Sequence, residues 1–511
     1  MADGQGSAPT QQIAQFRSDG FSASTGLRIP FFTDDFSRSF GFPATRLRNM
    51  ITEATPMREE RPYTPLVGLR EVHYSRPGLV GAYKPGVGPI RCLFAAPPAL
   101  GGRTIAVSGA QAWDLTSGTG LGTVGGTDLV RVAVSRTQVV LVASGAAYLM
   151  DATTNGAFAP MTNTVLPPVL DVAYLGDRFI YALIGSDTFY WSEIDDAATI
   201  DGLSFATAEA SPDPIVALAV LAGQLVIFGT ASVETWQVGT DAAAPFTPAI
   251  GQGYQRGCAS RDAVAFLDNA LFWIGENRVV YRTQDVPQRV SSSSIEDKLR
   301  QCSDIAACTG FAATFEGHEF YVLNVPGVGT YAYDASRIGT QAGAYGDSFS
   351  RGEWGEWTSF GRPRFRGQCA LALNGAVLVG DDRTNDVWTM EVGVYRDGLD
   401  PLVRTASAFI KVEEGTPRCD NLVLHCVTGV GTAVDPGSAP VTEMRYSDDQ
   451  GRTFGPWRPA SSGAMGRYSQ RVTWRRLGQM RAPGRLVEVR VGDPVNAAFS
   501  HLELNAARPG N

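Results

Sequence analysis

The chain has 511 residues, with 43 Lys and Arg against 51 Asp and Glu, so its formal charge is −8. An acidic protein of this size is poorly suited to wrapping exposed nucleic acid. Because 44 % of residues are hydrophobic and 10 % aromatic, disorder is excluded, while 57 Gly and 30 Pro argue for short strands and turns over long helices.

Residues 1–60 show little period-two alternation, and Phe31, Phe32, Phe36, Phe40 and Phe42 lie scattered among Ser, Arg and Gly. This segment reads as an irregular N-terminal arm that packs its rings on its own body or on another subunit, or leaves its first 25 residues disordered. The polar start MADGQGSAPTQQ is no signal peptide, and the longest apolar run, 215–229, is interrupted by Gln224 and too short to span a bilayer. No membrane anchor is expected.

From residue 61 a theme recurs: an apolar β-rich run, a tight turn, and a second run carrying an aromatic. The copies are GRTIAVSGAQAWDL (102–115), TQVVLVASGAAYLMD (137–151), DRFIYALIGSDTFYWSE (177–193), GQLVIFGTASVETWQV (223–238), NALFWIGENRVVYRT (269–283), HEFYVLNVPGVGTYAYD (318–334) and NGAVLVGDDRTNDVWTM (374–390). They start 35 to 56 residues apart, enough for a four-stranded sheet per interval. Alternation in RTIAV, VVLVAS and QLVIF supplies one apolar face. The aromatics Trp113, Tyr148, Tyr190, Trp236, Tyr281, Tyr331 or Tyr333, and Trp388 fill the wedge between neighbours. Small sheets with two raw edges bury their faces by radial stacking, so the expected fold is all-β: a β-propeller of six to eight blades over 61–395. A wide sandwich with hairpin decorations is the alternative. In SSSSIEDKLRQC, Ser293 stands three before Glu296 at capping-box spacing, and Ile295, Leu299 and Cys302 share a face, which predicts one short helix.

Beyond 395 the strands lengthen, and 396–511 reads as a C-terminal β-sandwich-like domain. Within it, Ser447, Asp449, Gly451, Thr453 and Phe454 form S-x-D-x-G-x-T-F, which resembles the Asp-box turn of sialidases and other propeller proteins. Here Asp449 is expected to accept turn N–H groups, Gly451 to take positive φ and Phe454 to plug the sheet beneath. Between 452 and 487 lie Arg452, Arg458, Arg467, Arg471, Arg475, Arg476, Arg481 and Arg485 with no Asp or Glu. This basic zone is a solvated face, a dock for an acidic partner, or a weak phosphate contact; guanidinium forks suit directed protein contacts. Trp354 and Trp357, in the long connection 335–370, are candidate subunit contacts.

Catalytic and metal signatures are sparse. Seven Cys, none in a C-x2-C pair, read as buried free thiols. The four His make no zinc motif, and His318 and His425 fall inside strand patterns. No Walker loop, dinucleotide fingerprint or nucleophile elbow occurs. The Asp381–Asp382–Asp386 turn matches no EF-hand spacing and reads as a hairpin turn with Asx bonds. No catalytic residue, metal or cofactor is assigned.

Several stretches in order carry a family resemblance: NALFWIG (269–275), VYR (280–282) with PQRVS (287–291), EGHEFYVLN (316–324) with YAYD (331–334), NDVW (385–388), RYSDDQGRTF (445–454), RVTWRRLG (471–478) and VRVGDPV (489–495). The chain resembles the packaged-DNA stabilisation proteins of short-tailed phages, also called tail accessory or nozzle proteins. That resemblance implies a structural virion protein of the phage tail, assembled in the host cytoplasm. Its implied partners are itself as a closed ring of six copies, the adaptor ring beneath the portal, and a tail needle, spikes or fibres. Double-stranded DNA passes through without base recognition. The alternatives are a glycan- or receptor-binding tail protein, with exposed aromatics over a shallow groove, and a sialidase-like hydrolase, with Arg, Asp, Glu and Tyr converging at one propeller mouth.

Overall fold

A computed structural model describes residues 15–16, 27–29, 31, 46–56, 69–208, 213–241, 244–284, 286–337, 353–413 and 415–507. Much of the expected arm, and 338–352 of the long connection, lie outside these residues. The chain forms two compact units: Leu79–Glu353 with Arg362–Glu391, and Met1–Gly78 with Trp354–Gly361 and Val392–Asn511.

The first unit is a β-propeller of seven small sheets. The first sheet comprises Ile90–Ala95, Thr104–Ser108, Gln111–Asp114 and Gly120–Thr123. Four-stranded sheets follow within 131–160, 169–207, 215–254 and 265–289, and the sixth contributes Thr309–Phe315, His318–Val325 and Gly329–Asp334. The seventh holds Gly367–Leu373, Ala376–Asp381 and Val387–Glu391, and its fourth strand is Gly78–Tyr83, from just before the first sheet. The ring is therefore closed by chain from its own beginning. Across that closure Gln368 Nε2 donates to the Ile90 carbonyl at 2.7 Å, and Ile90, Leu93 and Ala106 share a core with Leu378 and Val387.

Each repeat recognised in the sequence supplies the second and third strands of its sheet. Thr104–Ser108 and Val139–Ala143 are buried at every residue, so they meet neighbouring sheets on both faces, where a single apolar face was expected. Stacked sheets leave no solvent side for a central strand, which selects Ile, Val, Leu and Ala throughout. The third-strand aromatics do enter the packing. Trp236 lies edge-on to Phe189 of the preceding sheet at 5.0 Å, and Tyr281 packs 5.6 Å from Trp273.

The helix Ser293–Gln301 follows the fifth sheet, with Ile295 and Leu299 buried. Its cap is Ser292, one residue earlier than expected; the Ser292 side chain accepts from Ile295 N. The Glu296 carboxylate instead takes Arg289 Nε at 2.6 Å and Ser291 Oγ at 2.9 Å, so a side-chain cluster replaces the capping box.

The second unit is a β-sandwich. One sheet runs Glu353–Trp357, Leu47–Arg48, Arg404–Val412, Gly484–Val491, Val441–Ser447, Arg458–Ser461; the other runs Met50–Pro56, Leu69–Ser75, Phe499–Ala507, Arg418–Cys426, Val472–Arg475. Met50, Ile410, Leu422, Val489 and Leu502 lie in the shared core. Two expectations change here. Residues 47–56, assigned to an irregular arm, are sheet strands, and 69–75, assigned to the propeller, joins them. Gln15–Phe16 and Leu27–Ile29 also pair with sandwich strands. The distant segments meet at Arg76, which is fully buried. Its guanidinium donates to Asp397 at 2.7 and 3.1 Å, to Asn49 Oδ1 at 3.0 Å and to the Thr358 carbonyl at 3.2 Å.

Trp273 is wholly buried between Phe228 of the fourth sheet, 5.3 Å away, and Tyr281 of its own. Trp273→Ala is expected to cost about 3–5 kcal/mol of propeller stability, because neighbouring sheets cannot close the cavity. Chemical denaturation followed by fluorescence of the remaining tryptophans measures it.

Candidate functional site

Three places gather polar chemistry. The first lies among the innermost strands of the propeller. Asp171, fully buried, accepts Arg131 Nε at 2.8 Å and Leu218 N at 2.9 Å, tying the second, third and fourth sheets together. Arg261 donates to the Leu170 and Leu129 carbonyls at 2.9 and 3.1 Å and to Asp262. Arg91 donates to the carbonyls of Asp128, Gly109, Val124 and Gly125. Burial lowers the Arg91 guanidinium, and the Asp128 charge only partly offsets this. For Arg131 burial also acts downward, but the Asp171 charge outweighs it and the net direction is up. These Arg and Asp groups are held by one another and by backbone carbonyls of adjacent sheets. That is the chemistry of a structural tie between sheets.

The second is the acidic hairpin turn of the seventh sheet. Asp381 Oδ1 accepts Arg383 N and Thr384 N at 2.9 and 3.2 Å, making the expected Asx turn. Arg362 lies 3.3 Å from Asp381 and 2.6 Å from Asp382, and Lys84 lies 3.1 Å from Asp386. Guanidinium and ammonium groups thus pair with the carboxylates of this turn. Among the described residues no cluster of three or more His, Cys, Asp or Glu is placed to hold a metal.

The third place is the sandwich. Between Val441–Ser447 and Arg458–Ser461 the Asp-box residues fold as a turn. Ser447 Oγ donates to Asp449 Oδ1 at 2.6 Å and accepts Gly451 N at 2.8 Å; Asp449 accepts Thr453 N at 2.8 Å and Thr453 Oγ1 at 2.5 Å. Gly451 has φ +86°, a region that side chains resist. Phe454 is half-buried beneath Arg445, whose guanidinium sits 4.2 Å from the ring centre.

The candidate partner residues divide. Trp354 and Trp357 are buried in the single chain, and Trp357 lies beside Arg76, so neither is presented to a neighbour. Arg485 is also buried. It forks onto Asp448 at 2.6 and 2.9 Å and reaches the Leu477 carbonyl at 2.7 Å, which makes it an internal tie of the Asp-box turn. Apolar neighbours on its strand bury the Arg485 end of this pair while Asp448 stays exposed, a placement that a count of Arg in sequence does not reveal. Arg458 is half-buried, while Arg452, Arg467, Arg471, Arg475, Arg476 and Arg481 are exposed with no acidic partner among the described residues.

Arg471 and Arg475 line a groove on the outer face of the second sandwich sheet, with Asn421, His425, Val427 and Tyr468. Strand alternation produces it: Leu422, Leu424, Val472 and Trp474 point into the core, which turns Asn421, Val423, Thr473 and Arg475 outward. Across the strands, His425 stacks on His501 with ring centres 4.3 Å apart, and its Nε2 lies 2.7 Å from the Glu503 carboxylate. That hydrogen bond holds the Glu503 pKa below its ordinary value. The groove was not foreseen, because its residues come from strands 50 to 80 positions apart in sequence. All seven cysteines are free thiols, five of them buried.

A propeller of seven sheets whose buried charges act as ties, in one chain with a sandwich bearing an open basic groove, has the features of a structural component. Comparison with protein families places it. A family model described as "Bacteriophage P22 Gp10, beta-propeller" matches residues 102–392, and one described as "Bacteriophage P22 Gp10, beta-sandwich" matches 403–507. The chain belongs to the bacteriophage P22 Gp10 family of phage tail and stabilisation proteins. No curated protein matches. Among solved structures it is similar to U3-55K (11 % identity, TM-score 0.38, covering 62 % of this chain and 100 % of that one) and to the N-terminal domain of Nup159 (11 %, 0.37, 68 % and 99 %). BamB from Moraxella catarrhalis is a third (10 %, 0.33, 62 % and 98 %). At such TM-scores these likenesses carry no argument about function.

Asp449 is held to a pKa of about 2 by the Ser447 and Thr453 hydroxyls and the Thr453 N–H. A folded-state pKa below the unfolded value, about 3.9, means the stabilisation is complete above about pH 4 and is lost as pH falls toward 2. Asp449→Asn is expected to flatten the stability profile in that window and leave a constant deficit above it, read from denaturation midpoints across the pH range.

Proposed function

We propose that this tail protein is the nozzle subunit: six copies close into a ring below the portal and adaptor rings and extend the DNA channel. The ring helps retain packaged DNA and attaches the distal needle, spikes or fibres. The part is mechanical and needs no catalytic group. Assembly takes place in the host cytoplasm before the tail is complete.

The observation that carries this reading is the match of both family models, in order, over the propeller and the sandwich. The physical features agree with it. A propeller is stiff, because each central strand is packed on both faces, and stiff blocks close into rings of fixed number. The net charge of −8 leaves little general attraction for a passing polyanion, so DNA would slide and not stick. No helix among the described residues is long and apolar enough to cross a membrane.

Mass measurement of the purified full-length chain, alone and with portal–adaptor rings, tests this. Recruitment as a multi-copy ring is expected. A chain that stays monomeric and unbound in the presence of those rings overturns the reading.

A further inference from the structure

We propose that the basic groove of the sandwich is the socket for a loop of a neighbouring copy's propeller, residues 193–205 of its third sheet; this rests on the ring reading above. The groove offers two exposed guanidiniums, Arg471 and Arg475, beside the apolar surfaces of Tyr468 (75 % exposed) and Val427. The loop offers the complement. Glu193, Asp195 and Asp201 are exposed, and the same loop carries the exposed Ile194, Leu203 (83 % exposed) and Phe205. Asp201 has no cationic partner among the described residues, and the ion pairs of Asp195 with Arg136 and of Glu193 with Arg178 are long, at 3.6 and 3.5 Å. Large exposed apolar side chains on a loop that carries a surplus of acidic groups mark a contact surface.

The loop is preorganised. Glu193 N donates to the Thr199 carbonyl at 2.9 Å, Ser204 N to the Asp201 carbonyl at 2.9 Å, and Asp201 Oδ1 accepts Leu203 N at 2.8 Å. Tyr181, buried beneath, donates to the Ala197 carbonyl at 2.8 Å. Little ordering entropy is then left to lose on docking.

Charge along the chain points to a second copy as the occupant. Residues 452–487 carry eight Arg and no acid, whereas residues 179–255 carry nine Asp and Glu and no Lys or Arg. The first stretch contributes the groove's Arg471 and Arg475, and the second contains the loop. A symmetric face-to-face dimer would set guanidiniums against guanidiniums. A head-to-tail contact sets socket against loop in every copy and leaves neither surplus when the ring closes.

The test uses the full chain with portal–adaptor rings and reads ring assembly by mass against concentration. Arg471→Glu with Arg475→Glu, and separately Glu193→Arg with Asp201→Arg, are each expected to raise the assembly concentration about tenfold or more. Combining all four is expected to restore it to within about threefold of the starting protein, and restoration also shows that the variants fold. Leu203→Ser, at an exposed side chain, is expected to weaken assembly without shifting the melting temperature. Rings that form unchanged with either reversed pair, or a combined variant no better than the single pairs, overturn the docking while leaving the ring reading intact. So does a groove variant that assembles normally but loses binding to a glycan array. A wild-type chain that never joins the rings removes both.

Discussion

The propeller depends on one constraint: a small antiparallel sheet buries too little to stand alone, so each needs a neighbour on both faces and the series must end where it began. Here the first and last sheets are joined by strand Gly78–Tyr83, which enters the seventh sheet before the chain starts the first. Covalent continuity across the seam converts a stack with two exposed ends into a ring with none. Burial of Thr104–Ser108 and Val139–Ala143, and of Trp273 between the fourth and fifth sheets, follows from each sheet having a neighbour on both faces.

The innermost strands face a different problem. Converging sheets bring backbone carbonyls together where water is scarce, and buried acceptors need donors. Arg91 and Arg261 answer this with guanidiniums that reach several carbonyls each, and Asp171 takes Arg131 from one sheet and a backbone N–H from another. Removing one partner of such a pair leaves the other charged and unsatisfied, so breaking the pair costs more than its presence contributes. The same residue types at a propeller mouth, aimed at open space, would suit a hydrolase. Here they are saturated by one another and by backbone carbonyls.

The sequence exposes most of the propeller because its signal is local. A hairpin such as Val139–Ala143 with Ala146–Met150 announces itself within fifteen residues, through apolar runs around Ser144–Gly145. Outer strands such as Ala159–Pro160 and Gln288–Arg289 are two residues long and leave no periodicity to read. The sandwich fails for the opposite reason. Leu69–Ser75 pairs with Phe499–Ala507, more than 400 residues later, and only the folded chain shows that Arg76 is paired with Asp397. Burial is the other hidden quantity. Arg485 and Arg471 look alike in a run of eight arginines, yet one is buried with its fork on the exposed Asp448 and the other lies open on the groove.

That difference bears on how the two units serve one assembly. The sandwich is built from both ends of the chain, and the propeller is inserted in sequence between its pieces. Arg76, Asn49, Thr358 and Asp397 bind those pieces at the points where the chain leaves and re-enters, so the sandwich cannot form until the propeller segment has been synthesised. A charge pair buried to zero exposure tolerates no alternative partner, because any other geometry would strand a guanidinium or a carboxylate out of water. The outer groove is under no such restriction. Its guanidiniums are exposed to solvent, which is the property the proposed assembly surface requires: a charged partner can replace water there at little cost, whereas none can replace Asp397 on Arg76.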